Sequence, residues 1–286
     1  MTSSNLLQKY RSLCKEFDAL YQSKEAQALA RIIIERVTGM KAHDALATPN
    51  LQLTHEQGIE LECYVSELKL QKPIQYILGE TEFFGIRLKV NQNVLIPRPE
   101  TEELVEWVLK TNTLESPSVL DIGTGSGAIA IALAKNISKA SVFALDISPE
   151  AIGVATKNAS DNEVNITFIE QDILVLPDLI LGSPFDIIVS NPPYVRESEK
   201  NMMQPNVLDN EPRLALFVND ANPLQFYKTI SIMAKRHLNR NGYVFCEINE
   251  AFGTQTATIF QEMGFVDVTI RRDINGKERM VSGKRA

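Results

Sequence analysis

The residues in this chain best suited to carry chemistry are Asn191, Pro192, Pro193 and Tyr194, which follow the apolar run Phe185–Ser190. Two adjacent prolines have no N–H, so the turn offers carbonyl acceptors without competing donors. Proline also keeps the preceding Asn191 out of helical torsions and the segment extended. Asn191 adds a side-chain carbonyl oxygen. An NH2 group entering here can donate twice, to Asn191 and to the Pro192 carbonyl, while Tyr194 offers a flat face to a planar amide or base. An amide nitrogen is a poor nucleophile because its lone pair is delocalised. Two fixed acceptors on its hydrogens stabilise the positive charge that develops as an electrophile arrives, without reorganisation during the reaction. The catalytic candidates are therefore Asn191, Pro192 and Tyr194, with Pro193 completing a substrate pocket. No general base is required, and His43, His55 and His237 lie away from every motif. The bland alternative for this turn is a rigid strand end.

A second constellation lies upstream. Val119-Leu-Asp-Ile-Gly-Thr-Gly-Ser-Gly-Ala128 sets a glycine-rich loop between a buried strand and an apolar helix. Gly123, Gly125 and Gly127 allow torsions and a close approach that a Cβ would forbid, and the fresh helix N-terminus favours an anionic group. Thr124 and Ser126 complete the loop. Asp146 ends the next strand, 21 positions after Gly125, where a carboxylate suits a ribose diol. Ser148 and Pro149 then read as N-cap and first helical residue. Asp172 and Ile173 follow a third strand and are placed to accept from an adenine amine and to pack on its ring. The loop spacing is G-x-G-x-G, not the G-x-G-x-x-G of dinucleotide sites, and Asp121 precedes it directly. An acid there would repel a pyrophosphate but suits the ammonium of a methionine moiety, which points to S-adenosylmethionine. The alternatives are an unliganded tight turn for the loop and an ordinary capping acid for Asp146.

These residues need a scaffold, and the pattern supplies one. Residues 1–72 show helical periodicity without strand signals. Leu6, Leu13, Phe17 and Leu20 form one stripe. Ala26, Leu29, Ile33 and Val37 form another before Gly39, and Ile59, Cys63 and residues 65–70 form a third after Thr54, an expected N-cap with Gln57 three residues on. This reads as a small helical bundle, a packing appendage or a substrate-recognition domain. Residues 73–99 read as a connector of short β segments. They hold a hairpin over 81–90 and end in Pro97 and Pro99, which fit neither a helix interior nor a central strand. From 100 to 286 strands at 119–120, 141–145, 166–169, 186–189 and 243–247 alternate with helices at 101–109, 128–135, 149–159, 224–238 and 253–263. Continuous apolar strands between helices imply an α/β fold, a parallel sheet covered on both faces. Residues 265–271 and 279–282 read as a closing antiparallel hairpin.

Composition narrows the function classes. The net charge is −7, and residues 1–72 carry nine basic and nine acidic side chains, so all the excess acid lies beyond them. That disfavours a long nucleic-acid track. No apolar run approaches a membrane span, and residues 1–11 lack the order of a secretory signal. Cys14, Cys63 and Cys246 are far apart and outside metal-ligand spacing, so no metal is expected and a reducing, cytoplasmic setting is.

The motifs at 121–127, Asp146 and 191–194 resemble those of class I methyltransferases that modify planar nitrogen. With Phe83-Phe-Gly85, Ile96-Pro-Arg-Pro-Glu-Thr-Glu102 and Glu211-Pro-Arg-Leu-Ala-Leu216 added, the chain resembles the release factor glutamine methyltransferases of the HemK/PrmC family over almost its whole length. The resemblance implies a Rossmann-like, mostly parallel seven-stranded sheet. It also implies S-adenosylmethionine held by Asp121, Gly123 to Gly127, Asp146, Asp172, Ile173 and Asn191. The implied substrate, the glutamine of the Gly-Gly-Gln loop of class 1 release factors, would be held by Asn191 to Tyr194. Asn249 to Phe252 departs from the glycine-led turn expected there. Three other readings compete: methylation of a ribosomal-protein glutamine, methylation of an adenine amino group in nucleic acid, and a catalytically idle cofactor-binding or RNA-associated adaptor. The adenine reading would require base extrusion and a phosphate grip, for which no inserted domain or basic run is visible.

Overall fold

The computed structural model describes residues 5–48, 50–175 and 184–286 in two compact units, Met1–Leu78 and Gly79–Ala286. The first holds α1 (Leu6–Phe17), α2 (Ser23–Thr38), α3 (Ala42–Ala47), α4 (His55–Lys69) and α5 (Ile74–Leu78). Its helix ends lie where local chemistry puts them. Gly39 closes α2 at φ 68°, a left-handed torsion that costs glycine nothing. Thr54 and Gln57 form the expected reciprocal cap, with Gln57 N donating to Thr54 Oγ1 at 3.2 Å and Thr54 N to Gln57 Oε1 at 2.9 Å. Leu13, Phe17, Leu29, Ile33 and Val37 meet Leu61, Val65 and Leu68 in one apolar core.

Three details differ from the sequence reading. Leu20 lies past the end of α1 and is exposed. The buried stripe of α4 is Leu61, Val65 and Leu68, while Ile59 is 58% exposed and Cys63 faces out. A run apolar on two faces fits more than one 3.6-residue register, and packing chooses between them. Residues 74–78, expected to open the β segments, form α5 instead: the Pro73 carbonyl accepts from Tyr76 N and Ile77 N, starting a helical turn.

The second unit begins with a hairpin, β1 (Glu80–Phe83) and β2 (Ile86–Lys89), and continues through α6 (Pro99–Thr111), β3 (Ser118–Ile122), α7 (Ala128–Asn136), β4 (Ser141–Asp146), α8 (Pro149–Asp161) and β5 (Ile166–Glu170). After β6 (Phe185–Ser190), a segment of β7 (Val195–Arg196), a 3-10 turn, α9 (Pro205–Leu208), α10 (Arg213–Leu216) and β8 (Phe217–Val218) precedes α11 (Gln225–His237). The chain closes with β9 (Leu238–Glu247), α12 (Gly253–Glu262), β10 (Phe265–Arg272) and β11 (Glu278–Arg285). The seven-stranded sheet has the order β10-β11-β9-β6-β3-β4-β5. Strands β5, β4, β3, β6 and β9 run parallel, and β11 and β10 add the antiparallel edge.

The central strands β3 and β6 are buried along almost their whole length because both faces of the sheet are covered. One core gathers Val119, Val142, Ile187 and Phe245 with α6 and α7, and the other gathers Leu120, Ile122, Ile188 and Val244 with α11 and α12. Ala128 to Leu133 of α7 are all buried, and a helix apolar all round belongs inside a fold. Burying one side chain such as Leu133 stabilises the fold by about 1.5–3 kcal/mol. Among the described residues, no helix is long and apolar enough to cross a membrane.

Candidate active site

Strands β3 and β6 are neighbours, with Ile122 opposite Ser190, so the glycine loop and the Asn191 turn leave the sheet side by side. Ser190 Oγ donates to the Ile122 carbonyl at 2.8 Å and ties the two exits together. Strand order reverses here, since β4 and β5 lie on one side of β3 while β6 and β9 lie on the other. Open parallel sheets bind ligands at such a switch point, beyond the carboxyl ends of the strands. A cavity of about 260 Å³ opens there, lined by Gly123, Gly125, Asp146, Asp172, Ile173, Asn191, Pro192 and Pro193 among others.

The glycines are required by geometry. Gly123, Gly125 and Gly127 sit at φ 71°, 55° and 82°, torsions that strain any residue with a Cβ. At Gly127 an added Cβ would also lie 3.1 Å from Ile131 Cδ1 and 3.2 Å from Ala155 Cβ. At Gly123 and Gly125 it would meet no protein atom within 4 Å, although both line the cavity. There the bare backbone leaves room for a ligand.

Asp146 shapes this loop from the end of β4. Its Oδ2 accepts from Gly125 N at 2.8 Å and its Oδ1 from Ser148 N at 3.0 Å. Burial pushes its carboxyl up from the ordinary value, and the amides of Ser148 and Gly125 oppose that shift. Asp172 also lines the cavity, and its Oδ1 accepts from Leu174 N at 2.8 Å. Ile173 presents an apolar, 8% exposed side chain.

At the other wall, Asn191 Nδ2 donates to Thr101 Oγ1 at 3.1 Å. Among the described residues no donor reaches Asn191 Oδ1, which is left for the cavity that Asn191 lines.

Five residues expected to touch a ligand are not among those that line the cavity. Asp121 is fully buried and does not line the cavity. Its Oδ2 accepts from Thr124 Oγ1 at 2.7 Å and Ala130 N at 3.2 Å, which pins the loop to the start of α7. Burial pushes its carboxyl up to about 7, opposed by those two bonds. Asp121 thus anchors the loop through Oδ2, and its Oδ1 has no hydrogen-bond partner among the described residues. Thr124 and Ser126 point into protein and are buried, and Gly127 packs on α7 and α8. Tyr194 likewise does not line the cavity. Its hydroxyl donates to Glu247 Oε1 at 3.0 Å, and its ring packs with the core that holds Tyr227 and Ile248. Burial, and then the Glu247 charge, push that phenol upward. Residue spacing placed these residues at or just past the strand ends that border the cavity but carried no information on side-chain direction.

Comparison with known proteins agrees with this geometry. The family described as "Methyltransferase domain" matches residues 115–264, and that described as "PrmC N-terminal domain" matches residues 6–79. A solved methyltransferase from Pyrococcus furiosus shares the fold, at 19% identity and a TM-score of 0.53 over 71% of this chain and 90% of that one. The release factor glutamine methyltransferase of Flavobacterium psychrophilum is 48% identical over 281 residues, 96% of this chain and 98% of that protein. Its counterpart in Bacteroides thetaiotaomicron is 43% identical over 93% of this chain and 95% of its own length. This chain belongs to the release factor glutamine methyltransferase family.

In this methyltransferase several residues that carried the family resemblance have partners far along the chain. Arg98 pairs with Glu211 at 2.6 Å, and Glu211, whose side chain is 1% exposed, also accepts from Ile96 N at 3.3 Å. Thr101 Oγ1 donates to Glu247 Oε2 at 2.7 Å. Glu102 Oε1 accepts from Phe84 N at 2.8 Å and so holds a residue whose φ is 52°. Asn249, where a glycine-led turn was expected, caps the following turn by accepting from Ala251 N at 2.9 Å, and its Nδ2 donates to the Tyr194 carbonyl at 3.2 Å. Sequence reasoning missed other parts of the cavity wall, among them Asn93 to Leu95 of the connector, Leu214, Ala215 and Phe226. Asn158, 1% exposed, was also missed; its Nδ2 donates to the carbonyls of Lys89 and Ser126 and couples the hairpin to the glycine loop. The only signal for Leu214 and Ala215 was their place in the 211–216 motif.

Proposed function

We propose that this methyltransferase transfers the methyl group of S-adenosylmethionine to the side-chain amide nitrogen of the glutamine in the Gly-Gly-Gln loop of a class 1 release factor. The observation that carries the reading is one shared cavity: the turn at Asn191 to Pro193, whose prolines carry no N–H, lines the same space as Gly123, Gly125 and Asp146. Relatives that bear the release-factor name over nearly the full chain support the choice of substrate.

The cavity fits the cofactor. Bare backbone at Gly123 and Gly125 admits it, Asp146 keeps outward lone pairs for a ribose diol, and Ile173 offers an apolar surface to the base. When bound, S-adenosylmethionine supplies an activated methyl on a sulfonium. The protein then has to align the acceptor nitrogen and compensate the charge that grows on it. Asn191 Oδ1 and the Pro192 carbonyl would take the two hydrogens of the substrate NH2. They hold the amide plane in place and favour the more positive nitrogen of the transition state over the ground state. The extra proton can leave to solvent after transfer, so no side chain need deprotonate an amide beforehand.

Asn191→Ala tests this reading. Calorimetry should give a cofactor affinity within about twofold of wild type, while turnover on purified release factor should fall by roughly a hundredfold or more, the scale seen when a fixed transition-state partner is removed. Unaltered turnover would refute the assignment.

A further inference from the structure

We infer that Thr101 and Glu247 are positioning residues for methyl transfer, which together fix the end of the Asn191 amide that faces the cavity. The inference rests on the proposed role of Asn191 as an acceptor for the substrate NH2.

An asparagine amide has almost the same shape either way round, but its two ends have opposite chemistry. Flipped about its last bond, Asn191 would present its own NH2 to the incoming NH2, donor against donor. The cavity therefore requires something that distinguishes the two ends. Thr101 can do so because a hydroxyl has a single hydrogen. That hydrogen is committed to Glu247 Oε2 at 2.7 Å, and Oε1 of the same carboxylate accepts from the Tyr194 hydroxyl at 3.0 Å. With its hydrogen spent, Thr101 Oγ1 offers only lone pairs toward Asn191. Asn191 can meet it only with Nδ2, at the observed 3.1 Å. Oδ1 is then left for the cavity.

The surroundings make this arrangement durable. Thr101 and Glu247 are 4% and 1% exposed, so water cannot readily replace either partner. Burial pushes the Glu247 carboxyl up, while the two hydroxyl donors and the charge of Arg279 pull it back toward the carboxylate form that accepts from both. Arg279 is itself held by Asp273, Nε to Oδ2 at 3.1 Å. Strand register brings the two chain segments together, since Ser190 and Cys246 are parallel partners and the next residues are Asn191 and Glu247. Thr101 arrives from the first turn of α6, which is anchored on either side by Arg98 to Glu211 and Glu102 to Phe84. The Thr-Glu pair of the 96–102 motif thus has separate tasks: Thr101 orients Asn191, and Glu102 holds the hairpin.

The test is a double-mutant cycle read in kcat, KM and cofactor affinity, with single-turnover rates for slow variants and a release factor as substrate. Thr101→Val keeps the shape and removes the hydroxyl. It should lower kcat about tenfold, the scale of one lost hydrogen bond, with cofactor affinity within about twofold. Thr101→Ser, which restores the hydroxyl, should return kcat to within about threefold of wild type. In an Asn191→Ala background Thr101→Val should change the rate by less than about twofold, because residues acting through one another are not additive. Should the valine variant fail to bind cofactor, Thr101→Ala is read in the same way. The inference is overturned by an unchanged kcat in Thr101→Val, by a serine variant no better than valine, or by the same tenfold loss in the Asn191→Ala background. Full turnover in Asn191→Ala alone would instead overturn the acceptor assignment, and this inference with it.

Discussion

Asp146 performs two tasks with one carboxylate. Each oxygen already accepts a backbone amide, from Gly125 and Ser148, and what remains of its acceptor capacity faces the cavity. Asp146→Ala should weaken cofactor binding by roughly tenfold or more while leaving kcat at saturating cofactor much closer to wild type. Unchanged affinity in a calorimetric titration would move the ribose role elsewhere. Asp121 gives a prediction of a different kind. In the unfolded chain it ionises near 4, whereas burial raises it to about 7 in the fold. Between these values the unfolded state has lost a proton that the folded state retains. The contribution of Asp121 to stability is therefore fully present below about pH 4 and is lost as pH rises to about 7. Asp121→Asn removes this titration, so across that window the wild type should lose stability relative to the variant, by an order of magnitude of a few kcal/mol at most. Parallel denaturation midpoints from pH 4 to 7 would contradict it. At this scale the sequence was informative where chemistry is local. Positive φ at Gly123 and Gly125, the acid that ends β4 and the proline pair all follow from residue type. The directions of Asp121, Thr124 and Tyr194 did not, because burial by distant strands decides them.

Helix α6 shows how an element can organise a site that it does not itself line. From its N-cap and first turn, Arg98, Thr101 and Glu102 reach Glu211, Glu247 with Asn191, and Phe84. Arg98 neutralises a carboxylate that is almost wholly enclosed, and Pro212, Leu214 and Ala215 beside that carboxylate line the cavity. Arg98→Ala leaves the Glu211 charge buried without its cation and should destabilise the fold by about 2–4 kcal/mol. A thermal midpoint equal to wild type would show that Glu211 finds another partner. The alternation of strands and helices, the closing hairpin and the caps at Gly39 and Thr54 were legible, since each is written in contiguous residues. The α6 contacts were not, because they join residues 113 and 146 positions apart. The face of α4 was misread because Ile59 and Cys63 offered a second apolar register, and α5 because Pro73 opens a helical turn as readily as it ends one.

At the scale of the whole molecule, a neutral helical unit precedes an acidic α/β unit, and each has an apolar core of its own. We propose that the helical unit recognises the protein substrate. Deleting residues 1–78 should then raise KM for the release factor while cofactor affinity stays near that of the full chain, and full activity of the truncated enzyme would refute the role. We propose that the turn at Asn191 to Pro193, whose two prolines carry no N–H, grips an NH2 group and presents its nitrogen for methylation. It is tested most directly by incubating the full-length enzyme with isotopically labelled S-adenosylmethionine and purified release factor, and then mapping the product by peptide mass spectrometry. One added methyl group on the side-chain nitrogen of the Gly-Gly-Gln glutamine is the result expected. Label confined to another residue, or found only in RNA added to the same reaction, would contradict the account.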